Sequence, residues 1–230
     1  MKLEPRNIDA FKASMNFLTT IGSEVTFFFT ENDVKGFITT GGTTLCVVTM
    51  PKTEFLQFEP SSEPLTIFMS EFNKIIKGMK KNLVMFMEND SLKVTSGTDA
   101  FSLPLIVDGS KEIQLPSIPY DFDVEVSLKD FTDALDKVSV VNEEEVRFDT
   151  TSTGFFASAK QGVRTGKTTI LPGEFPPYHS SFSPDLLNCL KSKDNPKVKV
   201  EFGTEMPITI SYTQNGISTL IIIANRVSDY

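Results

Sequence analysis

Tryptophan is absent from the 230 residues, histidine occurs once and cysteine twice. One histidine cannot build a metal cluster unaided, and His179 follows Pro176-Pro177-Tyr178 in an irregular segment, where an exposed loop residue is expected. Glycine-rich phosphate loops are also missing: the paired Gly41-Gly42 precedes a strand pattern, which is hairpin or bend chemistry. Glu143-Glu144-Glu145 reads as a solvated turn rather than a cation site. No metal, cofactor or catalytic residue is expected, and the chain is read as a non-enzyme.

Cys46 and Cys189 sit in apolar stretches, the setting of reduced core thiols. The start, Met1 to Asp9, is charged and lacks the apolar centre of a signal peptide, so the reading is intracellular. No apolar run approaches the ~20 residues that cross a bilayer, and no membrane partner is expected. Positive charge is scarce too. The net charge of -8 argues against nucleic-acid affinity through bulk charge and leaves only local lysine clusters to supply it.

What is present suffices for a packed core: 40% hydrophobic residues, 20 of the 230 being phenylalanine. Ile8, Phe11, Met15 and Leu18 recur at helical spacing before Gly22 and the strand start Val25-Thr26-Phe27. The same order returns at Leu128, Phe131, Leu135 and Val138, followed by Val146-Arg147-Phe148. A second unit also repeats, Phe68 to Lys77 against Phe182 to Lys191, each leading into a strand, with Ser70 and Ser183 placed as helix N-caps. The chain is therefore a duplication of a module of about 110 residues. Its expected class is α+β, two similar domains of helices packed on antiparallel sheet at 1–106 and 121–230, with 107–120, which carries Gly and two Pro, an extended connecting loop.

Helices are expected at 8–20, 70–81, 127–139 and 184–193. They gather nine lysines against six carboxylates, so +3 falls on the helices and -11 on the remainder. On the second helix Lys74, Lys77 and Lys81 form a stripe opposite Phe72, Ile75, Ile76 and Met79. On the third, Asp130 and Asp133 share a face with Lys137, which weakens the case there.

These features resemble the proliferating cell nuclear antigen family of sliding clamps along essentially the whole chain. The stretches that carry the resemblance are Leu115-Pro116-Ser117-Ile118-Pro119-Tyr120, an apolar-Pro-x-x-x-Tyr pattern; Val200-Glu201-Phe202-Gly203-Thr204-Glu205-Met206-Pro207-Ile208; and Leu220 to Ala224 with Asn225-Arg226-Val227. The resemblance implies three chains closing a ring, homotrimeric or mixed with paralogues, with helices lining a hole that holds double-stranded DNA. DNA-facing residues would be Lys12, Lys74, Lys77, Lys80, Lys81, Lys129, Lys137, Lys191 and Lys193. Such lysines meet phosphates and read no bases.

Subunits would join through edge strands, Phe101 to Val107 with Phe101, Leu103 and Leu105, and Val163 to Leu171 with Val163, Thr165, Thr168 and Ile170. A pocket for clamp-interacting peptides of DNA polymerase, flap nuclease and ligase would use Ile38, Thr43, Leu45, Ile113, Leu115, Pro116, Tyr120, Pro207, Ile222, Ile223 and Asn225. Leu45 and Ile223 are equally well explained as core. The resemblance also implies loading by a separate ATP-driven machine, in the cytoplasm for an archaeal or viral member and in the nucleus for a eukaryotic one. The sequence departs from the family at Thr39-Thr40-Gly41-Gly42 and Ala224-Asn225-Arg226, both beside the pocket positions. A checkpoint-type or heterotrimeric paralogue and an unrelated enzyme with acidic loops are the competing readings.

Overall fold

The computed structural model describes residues 1–106, 113–187, 190 and 195–226. Leu3 and Pro5 are the buried positions of the first strand, β1 (Lys2–Pro5). Asn7 then turns the chain into α1 (Ile8–Ile21), its side-chain oxygen accepting the Ala10 amide at 3.0 Å. Phe11, Met15 and Leu18 are the buried stripe of this helix. Gly22 ends it, and a side chain there would lie 2.8 Å from the Ile38 methyl.

Strands β2 (Glu24–Phe29), β3 (Asp33–Thr40) and β4 (Thr44–Pro51) follow, then a 3-10 turn at Lys52–Glu54 and β5 (Phe55–Glu59). Next come β6 (Leu65–Phe68), α2 (Met69–Gly78), β7 (Leu83–Glu88), β8 (Ser91–Ser96) and β9 (Asp99–Pro104). The strands are arranged β5-β1-β7-β8-β9 and β4-β3-β2-β6.

The same plan recurs: β10 (Phe122–Ser127), α3 (Leu128–Ser139), β11 (Val146–Thr151), β12 (Gly154–Gln161), β13 (Arg164–Pro172), β14 (His179–Phe182), α4 (Pro184–Leu187), β15 (Lys197–Phe202), β16 (Ile208–Gln214) and β17 (Ile217–Ile223). Their order is β10-β15-β16-β17 and β13-β12-β11-β14. Strand for strand this matches the first set, except that β5 has no counterpart. The corresponding stretch holds Pro176 and Pro177, which cannot donate to a ladder. Two compact units result: Met1–Thr40, Leu45–Leu115 and Thr213–Thr219 form the first, and Gly41–Thr44, Pro116–Tyr212 and Leu220–Tyr230 the second.

The second unit is held by phenylalanines. The β10–β15 register sets Phe122 opposite Phe202, with ring centroids 5.2 Å apart. Phe131 of α3 stacks on Phe148 at 5.4 Å, and Phe148 touches Phe155 and Phe182 at 5.7 Å. All four are fully buried. The first unit relies more on Met15, Met50, Met69, Ile67 and Ile76, with two edge-to-face pairs, Phe11 on Phe72 at 6.3 Å and Phe28 on Phe37 at 5.3 Å.

α2 departs from its expected bounds at both ends. α2 begins at Met69, so Ser70 lies inside its first turn; Phe68 occupies the cap without a side-chain bond. It ends at Gly78, leaving Lys80 and Lys81 in the turn before β7 rather than on the helix. Ser127 caps α3, accepting the Asp130 amide at 3.0 Å and donating to its carboxylate at 2.6 Å. α4 is a helix over Pro184–Leu187. Cys189, Lys191 and Lys193 lie outside the described residues, as do 107–112 of the connecting loop and Val227.

Candidate functional site

The shorter α2 changes the charge distribution. α1, α2 and α3 carry Lys12, Lys74, Lys77, Lys129 and Lys137 against Asp9, Glu71, Asp130, Asp133 and Asp136, which cancel. The expected positive excess on helices is therefore not found on these three, because Lys80 and Lys81 fall past the helix end. Lys12 serves the fold itself, since its ammonium donates to the carbonyl of Met79, one of those left over at the end of α2. Lys74, Lys77, Lys80, Lys81, Lys129 and Lys137 are exposed.

Tyr120 ends the connecting loop half-buried, its hydroxyl hydrogen-bonded to that of Thr209 on β16. Burial pushes its phenol above the ordinary 10.0; the Thr209 bond opposes the shift and the charge of Glu201 adds to it. Thr209 itself is 5% exposed, so the bond also satisfies a buried hydroxyl. Pro207, half-buried, precedes β16 after a tight turn in which the Met206 amide donates to the Gly203 carbonyl at 3.3 Å. Nearby in the same unit, the Ala224 amide donates to the Thr43 carbonyl at 2.7 Å and the Arg226 amide to that of Ser181 at 2.7 Å, which pins the chain after β17.

Not all expected pocket positions reach the surface. Ile38 and Ile223, 2% and 1% exposed, are core residues, because inward positions alternate along β3 and β17. Leu45, Ile113, Ile222 and Asn225 are half-buried, and Thr43, Leu115 and Pro116 are exposed. Sequence reading finds Tyr120 but not its partner Thr209, since no local pattern links positions 89 apart.

Among the described residues, β9 and β13 each end a sheet and are hydrogen-bonded on one side only. Phe101 on β9 is 46% exposed and Val163, in the turn before β13, is 100% exposed. Leu103 and Ile170, in contrast, point into their cores at 4% and 6% exposure, so they offer backbone rather than side chain to a neighbour. Leu105 lies one residue beyond β9 and is half-buried, Thr165 is exposed and Thr168 half-buried. The strand ends at Pro104 rather than Val107, and Ile106 instead bridges to Thr66 of β6. Val140, which no sequence pattern singles out, is 81% exposed after α3.

No family model matches the chain. A DNA polymerase sliding clamp of Methanococcus maripaludis is 25% identical over 244 residues, covering 96% of this chain and 97% of the relative. Another, of Methanococcus vannielii, is 24% identical over 238 residues, covering 94% and 95%. Among solved structures, PCNA from Thermococcus kodakaraensis has a TM-score of 0.84 at 18% identity, covering 98% of this chain and 99% of its own. The A. fulgidus PCNA bound to the C-terminal region of FEN-1 has 0.86 at 18% identity, covering 100% of both. The PCNA2-PCNA3 complex from Sulfolobus tokodaii gives 0.82 at 19% identity, covering 98% and 99%. At these identities the structural likeness shows the fold.

Proposed function

We infer that this chain is a DNA sliding clamp of the proliferating cell nuclear antigen family, one subunit of a ring that encircles double-stranded DNA and tethers replication and repair enzymes to it. The observation that carries the reading is the duplicated strand-for-strand plan, matched end to end by clamps of known structure. The chain itself catalyses nothing. Its contribution is topological: a closed ring stays on a duplex without gripping any one sequence.

Lysines serve that role through phosphate contact alone, which positions a protein and leaves it free to slide. Lys74 and Lys77 on α2 and Lys129 and Lys137 on α3 are the exposed ammonium groups the reading assigns to DNA. Ring closure is assigned to the open edges of β9 and β13.

Partner enzymes, with polymerase, flap nuclease and ligase as the expected classes, dock through short peptides at the Tyr120 region of the second unit. Support comes from the ordered aromatic held by Thr209 beside exposed Pro116, and from the A. fulgidus relative, which binds the C-terminal region of FEN-1. The place of action is wherever the genome is copied, with an ATP-driven loader opening the ring.

The test is retention on DNA. Loaded by an archaeal clamp loader with ATP onto a nicked circular duplex, the chain stays bound through a high-salt wash and is released when the circle is cut. Equal release from circular and linear DNA overturns the encircling role.

A further inference from the structure

We propose that the exposed ring of Phe68, set between Glu24 and Glu71, is a docking point for an arginine side chain of a partner protein. The site lies in the first unit and uses none of the residues assigned to DNA, to the peptide pocket or to ring closure. It therefore goes beyond the sliding clamp reading.

Phe68 stands at a place the fold would fill better with a small polar residue. It is the cap residue of α2 and makes no side-chain bond to the helix, whereas Asn7 caps α1 and Ser127 caps α3 through side-chain oxygens. The second unit shows the usual solution. Ile67 pairs with Val25 as Phe182 pairs with Val146, so the residues that follow, Phe68 and Ser183, hold the same place before a helix. A hydroxyl there can satisfy a free amide of the first turn. The aromatic forgoes that bond and keeps 40% of its surface in water. A side chain that gives up a cap and wets a large ring is explained by something that covers it.

The surroundings select what that is. The β2–β6 register sets Glu24 directly opposite Phe68, which brings the two side chains to ~5 Å on one face of the sheet. Glu71 occupies the N3 position of α2, from which a carboxylate turns back towards the cap residue. Both are exposed, and among the described residues neither is held in an ion pair. The other neighbours are neutral: Thr26 and Thr66, next along the two strands, are joined through their hydroxyls at 2.9 Å, and Ser23 and Ser70 flank the helix start. Lys74 lies a turn beyond Glu71 along the helix.

Two carboxylates beside a π face repel phosphate and accept a cation. Of the cations a protein offers, guanidinium is the one that stacks on an aromatic plane while its fork reaches carboxylates.

The test uses the full chain labelled with fluorophenylalanine, in whose fluorine spectrum the Phe68 signal is the one missing from Phe68→Ser. The probe is the blocked tripeptide acetyl-Gly-Arg-Gly-amide. It is expected to move the Phe68 signal with a dissociation constant on the order of 10 mM. The lysine counterpart should bind more weakly, and the citrulline counterpart, which keeps the shape and lacks the charge, should leave the signal in place. Glu24→Gln with Glu71→Gln should raise the arginine constant about fivefold. Phe68→Ser is expected to melt no lower than the wild-type chain, because serine restores the cap.

An unmoved signal with the arginine peptide, equal movement by the citrulline peptide, or an unchanged constant in the glutamine pair overturns the proposal. A signal moved instead by a single-stranded oligonucleotide, or by raising the protein concentration without peptide, gives the ring to a base or to a second copy of the chain and overturns it too. A Phe68→Ser chain that melts well below wild type shows a ring packed for the fold, with the same consequence. Retention on circular DNA is measured separately, so each of these failures leaves the clamp reading standing.

Discussion

The hydroxyls of Tyr120 and Thr209, 89 residues apart in sequence, share a hydrogen bond that fixes the last residue of the connecting loop to β16. A ring already held in place loses little freedom when a ligand packs on it, which is why ordered aromatics dominate binding sites.

Tyr120→Ala is expected to weaken a clamp-interacting peptide by about 2 kcal/mol, and Thr209→Val, which frees the ring without removing it, by about 1 kcal/mol. Isothermal calorimetry with a peptide bearing an apolar and two aromatic anchors gives both numbers. Equal affinity across wild type and both variants moves the docking site elsewhere.

The same residue predicts a pH dependence. Its phenol titrates above 10.0 in the folded chain, chiefly because burial disfavours the phenolate. With the folded value raised over the unfolded one, its contribution to stability is complete below pH 10 and is lost as the pH climbs through the folded value. Tyr120→Phe should therefore blunt the fall in melting temperature above pH 10, while lowering stability in the neutral range by about 1–3 kcal/mol because the buried Thr209 hydroxyl loses its partner. Ultraviolet titration of phenolate absorbance checks the direction, and an unshifted last tyrosine would contradict it.

Lys74→Ala with Lys77→Ala should lower retention on DNA and reduce the slope of log affinity against log salt by about 2, since each phosphate contact contributes roughly 0.9. A slope equal to that of the wild type would take these ammonium groups away from the duplex.

Phe148 touches four other rings of the second unit, those of Phe131, Phe155, Phe182 and Phe202. Phe148→Ala should cost about 3–5 kcal/mol, against about 1 kcal/mol for loss of the α3 cap in Ser127→Ala. Chemical denaturation resolves the two. A smaller loss at Phe148 than at Ser127 would show that the cluster collapses into the vacated space.

The duplication and the order of helices and strands are legible because periodicity and caps are local signals. Phe11, Met15 and Leu18 mark α1 as clearly as Phe131, Leu135 and Val138 mark α3. The end of α2 is not: Met79, Lys80 and Lys81 are good helix formers, and only Gly78 and the left-handed Asn82, at φ 50, signal the turn. That one boundary removes two lysines from a helix and with them the apparent charge segregation. At the candidate site, Tyr120 is readable from its proline-bearing loop, whereas Thr209 is set by sheet register far along the chain. Burial of Ile38 and Ile223 likewise depends on which face of a strand meets a core, and isoleucine serves either face.

Both open strands finish in proline, β9 at Pro104 and β13 at Pro172. Proline has no amide hydrogen to give, so a ladder built on β9 stops there and spans at most the 6 residues of that strand. A seam that short can be unzipped and remade while the sheets behind it keep every bond of their own. A clasp of this kind suits a hoop that must be prised apart to admit its cargo and then snap shut.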